Sequence, residues 1–226
     1  MDTNNLKKAC AKEALKYIKN NTVIGLGGGR TIAYMIDYII EDKNLNVKIV
    51  TPSIQTKMLC IEKGLEVLHT CAVDRISVAF DGCDEVDLNL NALKSGGGIH
   101  TTEKLIANIA DQYILLVDED KVSDSLTFKK PVVLEILRDS LKYVERVVKK
   151  LGGIPKIRKS SIKDGFTVSD NGNFLIDVTF ENVTDIKKLE KNLKDISGVI
   201  DTSLFVGVVS RVLVASTNGI RIIKKN

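Results

Sequence analysis

The order of short apolar runs and helical stretches restricts the fold of this 226-residue chain more than any other feature. Apolar runs with the length of strands lie at 23–26, 47–50, 65–68, 76–80 and 113–117, and helical stretches separate most of them. A helix between two strands returns the chain so that both strands run in the same direction. The alternation therefore predicts an α/β fold with a Rossmann-like, doubly wound and mainly parallel sheet.

The pattern changes near Pro131. Strands are predicted at 132–137, 155–158, 173–180 and 199–206, and helices at 140–151 and 185–196. This β-α-β-β-α-β succession is the ferredoxin-like order. The runs 211–215 and 220–223 flank Asn218-Gly219, which predicts a hairpin that returns to the first sheet. We therefore expect a catalytic α/β domain from residues 1–130 and 204–226, and an inserted ferredoxin-like α+β lid domain from residues 131–203.

Composition argues against several classes of protein. Hydrophobic residues make up 44% and charged residues 27% of the chain, as in globular proteins, and no apolar run approaches the roughly 20 residues that span a bilayer. The net charge is +4 with both signs mixed along the sequence, so neither a nucleic-acid partner nor a membrane partner is expected. No apolar signal core follows residues 1–5, and a cytoplasmic location is expected by default.

Patterns typical of metal sites are incomplete in this sequence. The cysteines contain no C-x-x-C pair, and His69 and His100 lack ligand-like spacing, so no zinc site is expected. Asp87, Asn89 and Asn91 alternate as at the start of a calcium loop. The later glycine and glutamate of such a loop are missing, so these residues are expected to turn the chain. The predicted metal and cofactor content is none.

Carboxylates are concentrated after one of the predicted strands. Asp81 and Asp84 follow the run 76–80, at the carboxyl end of a buried strand, where open α/β sheets bind their ligands. Gly82 and Cys83 separate the two acids. Cys83 is either a reactive thiol or a small packing residue, and free cysteine more often packs. We expect Asp81 and Glu103 to face one substrate.

A lysine and a glycine run continue this candidate site. Lys94 and Ser95 precede Gly96-Gly97-Gly98. Glu103 lies in the first turn of a helix predicted over 101–111, where a carboxylate serves either the helix dipole or catalysis.

A second glycine-rich segment follows the first predicted strand. In Gly25-Leu26-Gly27-Gly28-Gly29-Arg30-Thr31, free backbone N–H groups converge at the start of a helix that begins near Thr31. Such an arrangement can bind a phosphate, or it can serve as a tight structural turn. It is not a Walker A loop, because Arg30 stands where the second glycine and the lysine would begin.

Together these segments resemble the ribose-5-phosphate isomerase A family over nearly the whole chain. The motifs that carry the resemblance are Gly25-Leu26-Gly27, Thr51-Pro52-Ser53-x-Gln55-Thr56-Lys57, Asp81-Gly82-x-Asp84-Glu85, Asn89-Leu90-Asn91, Lys94 with its glycines, Glu103-Lys104, Asp118-Glu119-x-Lys121, Asp170-Asn171-Gly172-Asn173 and Gly198-Val199. The resemblance implies an aldose–ketose isomerase of the pentose phosphate pathway. It would interconvert D-ribose 5-phosphate and D-ribulose 5-phosphate through an enediolate, without a cofactor, as a homodimer or tetramer.

The resemblance also implies roles for individual residues. Glu103 would be the general base, Lys94 and Asp84 would bind the reacting oxygens, and Asp81 would assist ring opening. The residues expected to bind substrate are Gly28, Gly29, Arg30, Thr31, Asp81, Gly82, Cys83, Asp84, Lys94, Ser95, Gly96, Gly97 and Lys121.

The chain departs from the family pattern at three positions. Family members commonly have threonine and serine at the places of Gly28 and Arg30, and arginine at the place of Thr102. Two alternatives remain open from the sequence. One is a regulatory domain that binds sugar phosphates without catalysis. The other is an amino-sugar-phosphate deaminase or a CoA-transferase-like enzyme of similar architecture; a deaminase needs a histidine near the base, and His100 is the sole candidate.

Overall fold

A computed structural model describes residues 3–160 and 164–225, so residues 1, 2, 161–163 and 226 of the predicted domains lie outside the described part. Its α-helices are Thr3–Ala14 (α1), Arg30–Glu41 (α2), Ile54–Glu62 (α3), His100–Ile109 (α4), Leu141–Lys150 (α5) and Ile186–Lys194 (α6). Its strands are Thr22–Leu26 (β1), Val47–Val50 (β2), Val78–Asp81 (β3), Glu85–Asp87 (β4), Ala92–Leu93 (β5), Tyr113–Asp118 (β6), Val122–Ser123 (β7), Val132–Ile136 (β8), Ile154–Ile157 (β9), Phe174–Thr179 (β10), Val199–Thr202 (β11), Leu204–Phe205 (β12), Arg211–Ser216 (β13) and Gly219–Lys224 (β14). None of the described helices combines the length and apolar character that crossing a bilayer requires.

In the described part of the chain, the largest sheet has six strands in the order β14-β13-β6-β3-β1-β2. All neighbours in it are parallel except β13 and the edge strand β14. Successive residues of a strand point to opposite faces. Accordingly, Val78 and Phe80 of β3 pack in the core formed with α1 and α2, whereas Ala79 packs with residues of α4. The predicted doubly wound, mainly parallel sheet and its returning hairpin are confirmed.

Within the same described ranges, a second sheet has the order β11-β8-β10-β9, and all its neighbours are antiparallel. Its core includes Val144 and Val148 of α5 and Leu193 of α6, packed with buried residues of β8 and β10. The predicted ferredoxin-like order is therefore present. The division of the chain into a catalytic domain and a lid stays a prediction.

A third, small sheet of the described residues, β12-β5-β4-β7, was not predicted. The prediction of one strand over 199–206 was wrong, because the chain changes partners at Ser203. Ser203 exchanges two backbone-directed hydrogen bonds with Val133: its N–H donates to the Val133 carbonyl, and its Oγ accepts from the Val133 N–H, both at 2.8 Å. Its carbonyl accepts from the N–H of Lys94 at 3.0 Å. After this residue β12 pairs with β5, which leads directly to Lys94.

The predicted strand over 65–68 was also wrong. Only a single bridge forms there, between Val67 and Ile49 of β2. Two hydrogen bonds to Ile49, both 2.8 Å long, make this contact. The chain then turns into a short 3₁₀ helix over Thr70–Ala72. The apolar residues of the run 65–68 thus pack against the edge of the sheet and do not form a strand ladder.

The glycine-rich segment 25–31 lies against the end of β3. The N–H of Gly27 donates to the carbonyl of Phe80 at 2.8 Å, and its carbonyl accepts from Thr56 Oγ1 at 2.7 Å. A Cβ atom at Gly27 would lie 2.0 Å from Asp81 Oδ1, whereas one at Gly28 would meet nothing closer than Ser53 Oγ at 3.6 Å. Glycine at position 27 is therefore required by the close approach of Asp81.

We expect Gly27→Ala to lower the free energy of unfolding by about 1–3 kcal/mol relative to Gly28→Ala, because the new methyl group overlaps a buried carboxylate. Both substitutions restrict the unfolded chain equally, and neither position has a positive φ. Urea denaturation of the two variants measures the difference. Equal midpoints would show that Asp81 moves away at no cost.

Candidate active site

A cavity of about 550 Å³ opens at the carboxyl end of β3. Its lining residues are Gly28, Gly29, Ser53, Ile54, Gln55, Asp81, Gly82, Cys83, Asp84, Lys94, Gly96, Gly97, Ile99, Glu103, Lys121 and Asp170. Most of them come from the ends of strands in the large sheet, as expected for an open α/β fold. Asp170 lies between β9 and β10, so the second sheet contributes to the cavity as well.

The ammonium group of Lys94 occupies the centre of a buried charge cluster. Its Nζ lies 3.1 Å from Asp81 Oδ2 and 3.3 Å from Glu103 Oε1, and it also donates to the carbonyl of Gly82. Asp81, Lys94 and Glu103 are 3%, 7% and 8% exposed. Charges this deeply buried are stable only when they are paired and hydrogen-bonded. The cluster is therefore a unit whose members depend on one another.

Two further donors hold Asp81 in place. The hydroxyl of Tyr113 donates to Asp81 Oδ2 at 3.0 Å, and the N–H of Gly82 donates to Oδ1 at 2.8 Å. Burial, together with the charge of Asp81, raises the pKa of Tyr113 well above its ordinary value. The phenol therefore stays protonated and remains a donor to the carboxylate.

Burial raises the pKa of Glu103 to about 8. The neighbouring Lys94 lowers this pKa and Asp81 raises it. Burial lowers the pKa of Lys94, but Asp81 and Glu103 raise it more, and the net change is upward. Lys94 is thus a permanent cation beside a carboxyl group whose pKa lies near neutrality, where a general base is most effective.

Asp84 is held by the loop that follows Lys94. Its Oδ2 accepts hydrogen bonds from the N–H groups of Ser95 at 2.6 Å and Gly96 at 3.0 Å. Ser95 itself is buried, and its Oγ donates to the carbonyl of Pro131. Ser95 does not line the cavity, in contrast to Gly96 and Gly97. Ser95 was predicted to bind substrate, and in the structure its backbone N–H holds Asp84.

Lys121 and Cys83 meet at another wall of the cavity. Lys121 Nζ donates to the carbonyl of Cys83 at 2.8 Å. Cys83 is 6% exposed and packs with buried apolar residues. Burial raises the pKa of its thiol to about 12, so the reactive thiolate is absent at neutral pH. The environment of Cys83 is that of a packing residue.

Only part of the glycine-rich segment 25–31 reaches the cavity. Gly28 and Gly29 line it, and Gly29 caps α2 with a φ of 93° that favours glycine. Arg30 and Thr31 are the first residues of α2 and lie outside the lining, and Arg30 is exposed. Contacts of Arg30 and Thr31 with a substrate stay a prediction.

Five lining residues were not among the predicted site residues. They are Ser53, Ile54, Gln55, Ile99 and Asp170. Three of them lie in the stretch 51–57, which supported the family resemblance. Ser53 caps α3, and its Oγ accepts from the N–H of Thr56 at 3.2 Å. The motif over 51–57 could therefore have indicated Ser53 and Gln55 as site residues. Ile54 stands at its unspecified position and could not have been found in this way.

Asp170 is placed by a buried carboxylate in the second sheet. Glu135 of β8 accepts hydrogen bonds from Ser169 Oγ at 2.7 Å, Asn171 Nδ2 at 3.1 Å and Asn173 Nδ2 at 2.8 Å. Burial raises the pKa of Glu135, but these donors lower it more. The ionised side chain of Glu135 therefore fixes the turn that presents Asp170 to the cavity. The motif Asp170-Asn171-Gly172-Asn173, which supported the family resemblance, was the available signal for Asp170.

The segment that resembled the start of a calcium loop is a turn. Asp87 Oδ1 accepts from the N–H groups of Asn89 at 2.9 Å and Asn91 at 2.8 Å, and Oδ2 accepts from Asn91 Nδ2 at 2.9 Å. In the part of the chain that the structure describes, no group of three or more His, Cys, Asp or Glu residues is arranged to hold a metal ion.

Known proteins are similar to this chain in sequence and in fold. The family model described as ribose 5-phosphate isomerase A (phosphoriboisomerase A) matches residues 48–219. The ribose-5-phosphate isomerase A of Pyrococcus abyssi is 38% identical over 100% of both chains. That of a Synechococcus species is 39% identical over 96% of this chain and 95% of its own.

Solved structures agree with the sequence comparison. The ribose 5-phosphate isomerase A of Methanocaldococcus jannaschii is 35% identical, with a TM-score of 0.92 over 99% of this chain and 100% of its own. A D-ribose-5-phosphate isomerase in complex with phospho-erythronic acid is 37% identical, with a TM-score of 0.94 over 100% of both chains. By sequence and by fold, this chain belongs to the ribose 5-phosphate isomerase A family.

Proposed function

We propose that this chain is an aldose–ketose isomerase that interconverts D-ribose 5-phosphate and D-ribulose 5-phosphate, a reaction of the non-oxidative pentose phosphate pathway. The observation that carries the proposal is the position of Lys94 between Asp81 and Glu103 inside the cavity. Its relatives that are named as ribose-5-phosphate isomerases support the choice of substrate.

The reaction moves one proton between C1 and C2 through an enediolate. It needs a base that reaches both carbons and a positive charge near the developing oxyanion. Glu103 supplies the base, because its pKa of about 8 leaves it able to take and return a proton near neutral pH. Lys94 supplies the charge, and its raised pKa keeps it protonated through the cycle.

The remaining polar residues serve ring opening and binding. The sugar is stored as a furanose, and only the open aldehyde can form an enediolate. In this proposal Asp81, held by Tyr113, takes the proton of the anomeric hydroxyl and returns it to the ring oxygen as the ring C–O bond breaks. Asp84 binds a substrate oxygen. Gly28, Gly29 and Lys121 hold the ends of the substrate, and Arg30 adds its charge at the mouth.

Phospho-erythronic acid in the similar isomerase supports this assignment. That molecule carries a phosphate and a planar carboxylate with two oxygens. An enediolate is likewise planar and carries two neighbouring oxygens. A site that holds such an acid resembles one built for the intermediate, since enzymes bind transition-state-like molecules more tightly than substrates.

The alternative activities find less support. A deaminase needs a histidine near the base, and His100 does not line the cavity. Burial lowers the pKa of His100 to about 4, and its Nε2 lies 3.4 Å from the carbonyl of Asp201. A purely regulatory sugar-phosphate domain would not need a buried lysine between two acids.

We further propose that the enzyme acts in the cytoplasm as a homodimer or tetramer. Phosphorylated sugars are charged and do not cross membranes unaided, which favours an enzyme in the compartment of its substrate. The oligomeric state is proposed from the family resemblance alone. Residues 131–203 are proposed to act as a lid, since Asp170 reaches the cavity from the second sheet.

Purified protein incubated with ribose 5-phosphate is expected to form ketose. Glu103→Gln keeps the size of the side chain and removes its basicity, so kcat should fall by about 10²-fold or more. Glu66→Gln, which changes an exposed glutamate paired with Lys48, serves as the control and should keep wild-type kcat. Wild-type kcat in Glu103→Gln would rule out this base, and absence of ketose with the wild-type protein would refute the proposed function.

Lys94→Met is expected to lower kcat and kcat/KM together, because its charge acts chiefly on the enediolate. Steady-state kinetics at saturating and limiting substrate separate the two constants. A rise in KM with an unchanged kcat would instead make Lys94 a residue of ground-state binding.

The raised pKa of Glu103 predicts a pH-dependent stability. Between its ordinary value of 4.5 and its value of about 8 in the fold, the unfolded chain releases the proton while the folded chain keeps it. The folded state therefore loses stability as pH rises through this range and loses no more above it. Glu103→Gln has no such loss, so its Tm minus the wild-type Tm should increase from about pH 4.5 to about pH 8. A constant difference would show that Glu103 ionises normally.

A further inference from the structure

An arginine of the second sheet reaches the loop that holds Asp84. Arg158 follows β9, and its Nη2 donates to the carbonyl of Ser95 at 2.8 Å. Its Nη1 donates to the carbonyl of Gly96 at 3.4 Å. The loop therefore bonds Arg158 through its carbonyl groups and Asp84 through its N–H groups.

The guanidinium is itself held by Asp177 of β10. Arg158 Nε lies 3.1 Å from Oδ1 and 3.2 Å from Oδ2, and Nη2 also donates to Oδ1. A planar fork of donors on a carboxylate has a defined orientation, which a lysine cannot reproduce. The two side chains are 19% and 27% exposed, so water has limited access to the pair. Arg158 is thus a rigid link between the second sheet and the loop.

The shorter of the two bonds from Arg158 to the loop, at 2.8 Å, ends on the peptide group between Ser95 and Gly96. The carbonyl of Ser95 and the N–H of Gly96 are the two ends of one amide. A cationic donor on the carbonyl polarises the amide and strengthens its N–H as a donor. That N–H donates to Asp84 Oδ2 at 3.0 Å. Arg158 therefore both fixes the position of the peptide and strengthens its hydrogen bond to Asp84.

The glycine run that follows Ser95 packs closely on the second sheet. Gly98 has a φ of 68°, and a Cβ atom there would lie 2.7 Å from Leu175 Cδ1 and 3.4 Å from Arg158 Nη1. The glycine run thus lies directly on β10 without side chains of its own. Its glycines are conformationally free, so their position depends on external bonds.

We propose that Arg158 is a positioning residue for the isomerisation, acting through the Ser95–Gly96 peptide on Asp84. The inference rests on the proposed function. Arg158 is not part of the cavity lining, and its effect reaches the substrate only through the loop. The second sheet thereby takes part in catalysis beyond supplying Asp170.

We expect Arg158→Ala to lower kcat by about 10- to 100-fold, the scale of a small misplacement of a catalytic group. Arg158→Lys should recover part of the loss, because one ammonium can replace only some of the bonds. The matched control is Arg75→Ala, which removes a similar two-pronged arginine pair with Asp111 at an exposed site and should keep wild-type kcat. A kcat of Arg158→Ala within about twofold of wild type would overturn the proposal.

A double-mutant cycle with Asp84→Asn separates positioning from general stabilisation. If Arg158 acts through Asp84, Arg158→Ala should lower kcat by less than about threefold in the Asp84→Asn background. Additive losses would overturn the proposal. Should Arg158→Ala fail to fold, Asp177→Asn, which keeps its size and removes the charge, replaces it in the same cycle.

The amide proton of Gly96 gives a readout that needs no activity. In the NMR spectrum its resonance should move upfield in Arg158→Ala, because its hydrogen bond to Asp84 weakens, and an unchanged resonance would overturn the proposal. If the wild-type protein forms no ketose, the proposed function fails, and this shift still decides whether Arg158 positions the loop.

Discussion

The site depends on one buried ammonium group shared by two carboxylates. Lys94 lies 3.1 Å from Asp81 and 3.3 Å from Glu103, and all three residues are nearly inaccessible to solvent. Removing Lys94 leaves buried carboxylates without a counter-charge, and removing Asp81 leaves the buried ammonium without its nearest carboxylate, so either loss is costly. The arrangement brings the pKa of Glu103 close to neutral pH and keeps Lys94 protonated. Proton transfer through an enediolate requires both, a base that can take and return a proton and a cation beside the oxyanion.

Much of the surrounding structure serves to hold this cluster. Gly27 makes room for Asp81 at the end of β3, and Tyr113 of β6 fixes the carboxylate. The chain reaches Lys94 by way of β5, whose pairing with β12 forms only because the chain changes partners at Ser203. The small third sheet is thus the element that carries the lysine into the cavity.

The second sheet contributes through buried and partly buried polar contacts. Glu135 holds the turn with Asp170, and Arg158 with Asp177 holds the glycine loop. These contacts bridge elements that are distant in sequence, so the geometry of the cavity depends on how the two larger sheets pack.

The sequence allowed the large sheet, the ferredoxin-like order and the acids near position 81 to be predicted, because each depends on local periodicity or on motif spacing. It did not allow the third sheet to be predicted, because two- and three-residue strands have no period. The run 65–68 was misread because an apolar segment at a sheet edge resembles a strand. Asp170 was missed as a lining residue, although its motif supported the family resemblance, because only the fold brings the second sheet to the cavity. Arg158 was missed as a support of the glycine run because its partners lie in other elements.

The central claim is that the pKa of Glu103 lies near neutral pH because burial and Asp81 raise it while Lys94 lowers it. The direct test is a ¹³C NMR titration of the Glu103 side-chain carboxyl, assigned by its absence in Glu103→Gln. The account predicts a midpoint at about pH 8 in the wild-type protein and a higher midpoint in Lys94→Met, where the charge that lowers the pKa is gone. A midpoint near the ordinary value of 4.5, unchanged by Lys94→Met, would contradict it.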